Sequence, residues 1–112
     1  MTAIEEIDPV TADQLVQDGA VLLDVRNDDE WVAGHAPAAR HLPLPELPAR
    51  HTELPAGTQI VVVCRSGSRS ARATEALVGA GYRAVNLAGG MKAWSAAGLP
   101  VVTDSGGPGT VA

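Results

Sequence analysis

The sequence predicts an α/β domain, a central parallel sheet of about five short strands with helices on both faces. Three observations carry this expectation. Short β-branched or apolar runs alternate along the chain with stretches at helical spacing. The two strongest runs, residues 20–25 and 59–63, are apolar almost throughout, as in strands covered on both faces of a parallel sheet. The chain has 112 residues and is 46% hydrophobic, which fits one domain with its own core. Phe is absent and aromatics make up 3%, so that core is built from Val, Leu, Ile and Ala.

Taken in order, Thr11-Ala12-Asp13-Gln14 reads as a capping box opening a short helix, with Leu15 and Val16 on its apolar side and Gly19 as its stop. The strand at 20–25 runs into Asp24-Val25-Arg26. Asn27 caps a second helix whose first turn carries Asp28, Asp29 and Glu30, where carboxylates suit the helix dipole. Trp31 and Val32 are expected to face inward, and Gly34 ends that helix. Residues 39–42 are a weak strand. Between 44 and 55, Pro45, Pro48 and Pro55 exclude a long helix, while Pro48 suits the first position of a short one.

The clearest strand is 59–63. From Ser68 the pattern turns helical through Ala71, Ala73, Thr74, Leu77 and Val78, punctuated by Gly79 and Gly81. Residues 84–87 form another strand. Gly89-Gly90 makes a turn, and a short helix over 91–97 is closed by Gly98 and Pro100. The domain is expected over 4–102. Residues 103–112, with Ser105-Gly106-Gly107-Pro108-Gly109, are expected to be a disordered tail.

Charge and hydropathy exclude several classes. No apolar run approaches the length of a membrane span. Met1 to Glu6 lacks the basic start and apolar stretch of a secretory signal. Net charge is −5, and nine of the 13 acids lie in the first 30 residues. A nucleic-acid partner is disfavoured, because phosphate binding needs a basic surface. Against this background Arg65, Arg69 and Arg72, three of the eight basic residues, cluster beside the single cysteine, Cys64. One cysteine allows no internal disulfide and no Cys-rich metal site, and it fits a reducing, cytoplasmic setting. His41 and His51 have no ligand-like spacing, so no metal is assigned.

Cys64-Arg65-Ser66-Gly67-Ser68-Arg69-Ser70 lies between the best strand and the best helix. Ligands of parallel α/β sheets bind at the carboxyl ends of strands. The sulfur is expected to point into that crevice, under a small loop able to curl its N–H groups toward one point. The helix start adds its positive end. A cysteine so placed ionises readily, its pKa falling from about 8.5 to roughly 3.5–7.5 in such settings. The N–H groups can hold an oxyanion or a terminal persulfide. Arg69 can fork onto an anion and Arg65 can steer one in. Ser66, Gly67, Ser68 and Ser70 shape the loop, and no serine has an identifiable base.

Four motifs in consistent order resemble single-domain rhodaneses, the thiosulfate sulfurtransferase-like family. They are Leu23-Asp24-Val25-Arg26; the stretch from Glu30-Trp31 through Gly34-His35-Ala36-Pro37-Ala38-Ala39; the loop from Cys64 to Ser70; and Gly89-Gly90-Met91-Lys92-Ala93-Trp94 with Ala97-Gly98-Leu99-Pro100-Val101. The similarity covers about residues 4–102. Ala36 and Ala38 replace the family's usual Ile and Gly. The loop between Cys64 and Arg69 is one residue shorter than that of cysteine phosphatases, which suits a single sulfur better than a phosphoryl group.

The resemblance implies a rhodanese-like fold and a sulfurtransferase that needs no cofactor. Cys64 is its catalytic residue. Arg65, Ser66, Gly67, Ser68, Arg69 and Arg26 are its substrate-binding residues, with Asp24 and Ser70 as structural support. Asp24 is expected to tie loop N–H groups or an arginine. The partners implied are a small anionic donor such as thiosulfate and a thiol, cyanide or sulfur-accepting protein. His35 is expected to pack and hydrogen-bond, and Trp31 and Trp94 to anchor the core. The alternatives are a persulfide carrier with little thiosulfate turnover, a non-catalytic interaction module, and a phosphatase or arsenate reductase. The short loop and the lack of a second cysteine disfavour the last pair.

Overall fold

In the computed structural model, which describes residues 3–112, five parallel strands are ordered β1-β5-β4-β2-β3. They are β1 (Glu6–Ile7), β2 (Val21–Asp24), β3 (Arg40–His41), β4 (Ile60–Val63) and β5 (Ala84–Leu87). Met1 and Thr2, part of the stretch read as lacking a secretory signal, lie outside the described residues. β4 is central because Ile, Val, Val and Val leave no polar side chain on either face, and all four are buried. It pairs Val61 with Leu22 on one side and with Val85 on the other. β1, which the sequence reading did not place, adds an edge through Glu6 and Ile7 beside Asn86 and Leu87.

Side-chain alternation along the strands divides the core in two. Leu23, Ile60, Val62, Cys64 and Ala84 face α3 (Leu47–Arg50) and α4 (Ser68–Gly79), packing on Leu47, Leu54, Ala73 and Leu77. Leu22, Val61, Val63, Val85 and Leu87 face α1 (Pro9–Gln17) and α5 (Gly90–Ala96), packing on Ala12, Met91 and Trp94. Helices therefore cover both faces, as expected. Among the described residues no helix is long and apolar enough to cross a membrane.

Four local expectations are corrected. α1 begins at Pro9, not after Thr11. Asp8 is the N-cap and accepts the Thr11 N–H at 3.1 Å, with Pro9 at the first helical position. In α2 (Asp28–Ala33), Val32 is 64% exposed rather than inward. Trp31 is half-buried and lies in a stack instead of the core, 3.6 Å from the ring of His35 and 4.8 Å from that of His41.

The fourth concerns residues 103–112, which are not a free tail. Val102 bridges both His35 and Pro108, and the Thr110 N–H donates to Ala33 O at 2.9 Å. Asp104 hydrogen-bonds His35 Nε2 at 2.8 Å. Gly34 makes this docking possible, since a Cβ there would sit 2.6 Å from Thr110 N. The absence of two side chains, at Gly34 and Gly109, lets the main chains meet. The Ala in place of the usual Gly at 38 is accommodated without strain, because among the described residues no non-glycine residue has a positive φ.

Candidate active site

Cys64 immediately follows β4 and continues the alternation of Ile60 and Val62, so its side chain lies on the α4 side of the sheet. Residues 65–67 then turn the chain into α4. Gly67 makes this turn with φ +115°, a conformation that side chains other than glycine's rarely adopt. Its N–H donates to Cys64 Sγ at 3.1 Å. The Ser70 hydroxyl, one turn into α4, donates to the same sulfur at 3.2 Å.

The loop is shaped from behind by α5. Met91 N–H donates to Cys64 O at 2.7 Å, and Lys92 N–H to Arg65 O at 3.0 Å. With these carbonyls drawn toward α5, the trans peptide geometry turns the following N–H groups the opposite way. Gly90 permits the approach, as a Cβ on it would lie 2.6 Å from the Arg65 carbonyl carbon. The sequence reading treated Gly89-Gly90 only as a turn and motif. Its position between the cysteine loop and a helix start is a structural role that spacing alone does not reveal.

Electrostatics at the sulfur are a contest between burial and donors. Burial, the largest single influence, pushes the thiol pKa up. The Ser70 hydroxyl and the N–H groups of Ser70, Gly67 and Ser66 outweigh it, leaving the thiol below its ordinary 9.0. The expectation of a sulfur standing in an open crevice needs correction. Cys64 is 1% exposed and lies beneath its loop, whose Arg65 and Ser66 are exposed. The cavity of about 270 Å³ between Leu47, His51 and Leu77 lies away from this loop.

The arginines are placed less freely than the sequence suggests. Arg26, expected to hold an anionic donor, is fully buried, with Nε and Nη2 engaged and Nη1 left without a partner. Nε and Nη2 bind Asp24 at 3.0 and 2.8 Å, and Nη2 also donates to Gly34 O at 2.7 Å. Its guanidinium braces the end of β2 and does not reach solvent. Asp24 accepts the Arg26 N–H as well, at 3.0 Å. Arg69 meets Glu30 of α2 through two bonds of 2.7 and 2.8 Å. That contact draws the Glu30 carboxyl from the ordinary 4.5 to about 2. Arg69 still lies close enough to Cys64 for the sulfur's charge to favour its protonated form. Arg65 Nε donates to Ala112 O at 2.9 Å, so the segment the sequence left as a tail reaches the loop.

Ser66, Gly67 and Ser70 surround Cys64 in the loop, while Ser68 is exposed at the start of α4. His35 packs and hydrogen-bonds, with Nδ1 on Ala36 O at 3.0 Å and Nε2 on Asp104. Among the described residues, no three His, Cys, Asp or Glu side chains gather as a metal-binding group.

Known proteins resemble this chain in sequence and in fold. The family model described as Rhodanese-like domain matches residues 8–97. A protein named sulfurtransferase from Allochromatium vinosum is 39% identical over 106 residues, covering 92% of this chain and 99% of its own length. Thiosulfate sulfurtransferase 18 of Arabidopsis thaliana is 34% identical over 120 residues, covering 94% of this chain and 88% of that relative. The crystal structure of a rhodanese-related protein from Thermoplasma volcanium matches with a TM-score of 0.84 at 29% identity, over 89% of this chain and 99% of that one. The match over most of the chain, in both sequence and fold, establishes that this protein belongs to the rhodanese-like domain family.

Proposed function

We propose that this chain is a sulfurtransferase that carries a sulfane sulfur as a Cys64 persulfide, taking it from thiosulfate or a persulfide donor and passing it to a thiophilic acceptor. The supporting observation is the sulfur itself, held by Gly67 N–H at 3.1 Å and Ser70 Oγ at 3.2 Å where a strand ends and a helix begins. The Ser70 hydroxyl and the loop N–H groups lower the thiol pKa from its ordinary value and so enlarge the share of thiolate, the form that attacks.

In the first step the thiolate attacks the outer sulfur of the donor. A new S–S bond forms, the donor S–S bond breaks, and sulfite leaves with the electron pair when thiosulfate is the donor. The terminal persulfide sulfur then carries the negative charge under the loop N–H groups. In the second step an acceptor nucleophile attacks that outer sulfur, and the Cys64 thiolate departs. The chain has one cysteine, so the acceptor is external: cyanide in an assay, a thiol or a sulfur-accepting protein in a reducing, cytoplasmic setting.

The test is thiosulfate:cyanide turnover of wild type and Cys64→Ala, with intact mass after donor treatment. Turnover and a one-sulfur mass gain in wild type, both lost in the variant, are expected. Equal rates in the two proteins refute the proposal. A second reading, a carrier loaded mainly by persulfides, is favoured by the pairing of Arg26 and Arg69 with carboxylates. That pairing leaves recognition of a dianion chiefly to main-chain N–H groups. Loading by a persulfide donor but not by thiosulfate would select it.

A further inference from the structure

Asn86 is a fully buried polar residue in the middle of β5, between Glu6 of β1 and Val62 of β4. By alternation with Ala84 it lies on the α4 side of the sheet, the side that also holds Cys64. Its Nδ2 donates to Gly67 O at 3.2 Å and to Glu6 Oε2 at 2.8 Å. Both neighbours are acceptors, so the amide must present nitrogen to them. Its Oδ1 is left buried without a partner. An unsatisfied buried oxygen is unfavourable, and an aliphatic side chain would fill this core position without it. The donor therefore has a purpose beyond packing.

That purpose lies at the Gly67 carbonyl. Three donors converge on this oxygen: Ala71 N–H at 3.0 Å, Asn86 Nδ2 at 3.2 Å and Ser70 Oγ at 3.2 Å. A carbonyl offers two lone pairs. The Ser70 hydroxyl has one proton, and the Cys64 sulfur is equally near at 3.2 Å. We infer that Asn86 is a positioning residue: by occupying the Gly67 carbonyl together with Ala71, it turns the Ser70 hydroxyl proton onto the Cys64 sulfur. The inference deepens the function proposed above, since it concerns how the reacting thiolate is held.

The charged groups around the loop are the Arg69–Glu30 pair at the start of α4, the Asp24–Arg26 pair at the end of β2, Arg65 on the loop itself, and Glu6 behind Asn86. Of these only Glu6 is touched by exchanging Asn86: it loses the bond from Nδ2, and a thiol shift of that origin is the same with or without the Ser70 hydroxyl. Without Asn86 the Gly67 carbonyl regains a free lone pair, and the Ser70 proton divides between oxygen and sulfur.

The experiment is titration of the single cysteine by thiolate absorbance, with Cys64→Ala as the blank. Four proteins are compared: wild type, Asn86→Leu, Ser70→Ala and the double variant. Asn86→Leu is expected to raise the thiol pKa by about half a unit to one unit, the scale of one net hydrogen bond. Ser70→Ala raises it at least as far. In the Ser70→Ala background, Asn86→Leu adds no further shift. An Asn86 that only packs lowers the melting temperature without this dependence on Ser70. An unchanged thiol pKa in Asn86→Leu, or an equal shift in both backgrounds, overturns the inference. Should Asn86→Leu not fold, Asn86→Ser, too short to reach Gly67 O, carries the same two outcomes. The titration reads the thiol whether or not the chain moves sulfur, so failure here is distinguishable from failure of the proposed activity.

Discussion

Exchanging Glu30 for Gln removes one charge from the loop's surroundings and keeps the side chain's shape. Gln retains an oxygen to accept the Asn27 N–H, which Glu30 Oε1 accepts at 3.0 Å, so the start of α2 survives. What is lost is the ion pair with Arg69. The Glu30 carboxyl lies at about 2 against the ordinary 4.5, first because Arg69 donates to it. At face value that difference favours the folded state by roughly 3 kcal/mol. Arg69 is 31% exposed, so water and salt screen the pair, and about 1–2 kcal/mol is the expected net loss in Glu30→Gln.

The pH dependence follows from the sign of the shift. The folded-state value is below the unfolded one, so the stabilisation is fully present above the ordinary 4.5 and disappears as pH falls through about 2. Urea unfolding of the two proteins across this range reads it directly. Near neutrality the variant unfolds at lower urea, and the gap closes toward the acid end. Coincident midpoints near neutrality, or a gap that does not change with pH, refute the reasoning. The same variant releases the Arg69 guanidinium. KM for thiosulfate is expected to fall, and an unchanged KM shows that Arg69 does not meet the donor.

Arg26→Leu strands the Asp24 carboxylate in the core, and urea unfolding should show a loss of about 3–5 kcal/mol, with the thiosulfate KM of the folded protein unchanged. Gly90→Ala drives a methyl group into the Cys64 and Arg65 carbonyls; it should destabilise by about 1–3 kcal/mol and slow sulfur transfer, both measured against wild type. The rate of persulfide formation should fall as pH drops through the depressed thiol pKa and level off at a pH below the ordinary 9.0. In Ser70→Ala the same stopped-flow profile moves to higher pH.

The parts of this fold legible in the sequence are those specified locally. β4 is an unbroken apolar run, and α2 carries its cap and its stop in adjacent residues. β5, an alternation of Ala, Val, Asn and Leu bounded by turns, has the limits the sequence suggests. β1 was invisible because Glu6 and Ile7 have no strand pattern of their own; β5 supplies their ladder. The capping box at Thr11 drew attention from a stronger signal, Asp8 followed by Pro9. The glycines of 103–112 suggest a tail by composition, yet Gly109 and Gly34 are the reason the segment docks. The Asp24–Arg26 pair could have been found. Asp24 ends β2 and Arg26 follows two residues on, close enough in sequence for the guanidinium to fold back on the carboxylate.

The pairings have a consequence for how an anion is held. Three basic side chains around the site are answered, Arg26 by Asp24, Arg69 by Glu30 and Arg65 by the Ala112 oxygen, while Arg72 of the sequence cluster is exposed on α4. What remains aimed at the sulfur is neutral: the N–H groups of Ser66, Gly67 and Ser70 and the Ser70 hydroxyl. Neutral dipoles fixed by α5 on one side and Asn86 on the other need little reorganisation when charge appears on a terminal sulfur. They act over a short range, so they favour one small, soft anion at one point more than a diffuse charge arriving from solution. A guanidinium left free would do the opposite, drawing in any dianion and gripping the product. The arrangement therefore serves the covalent persulfide better than the encounter with its donor, and removing a loop donor should slow turnover more than it raises KM.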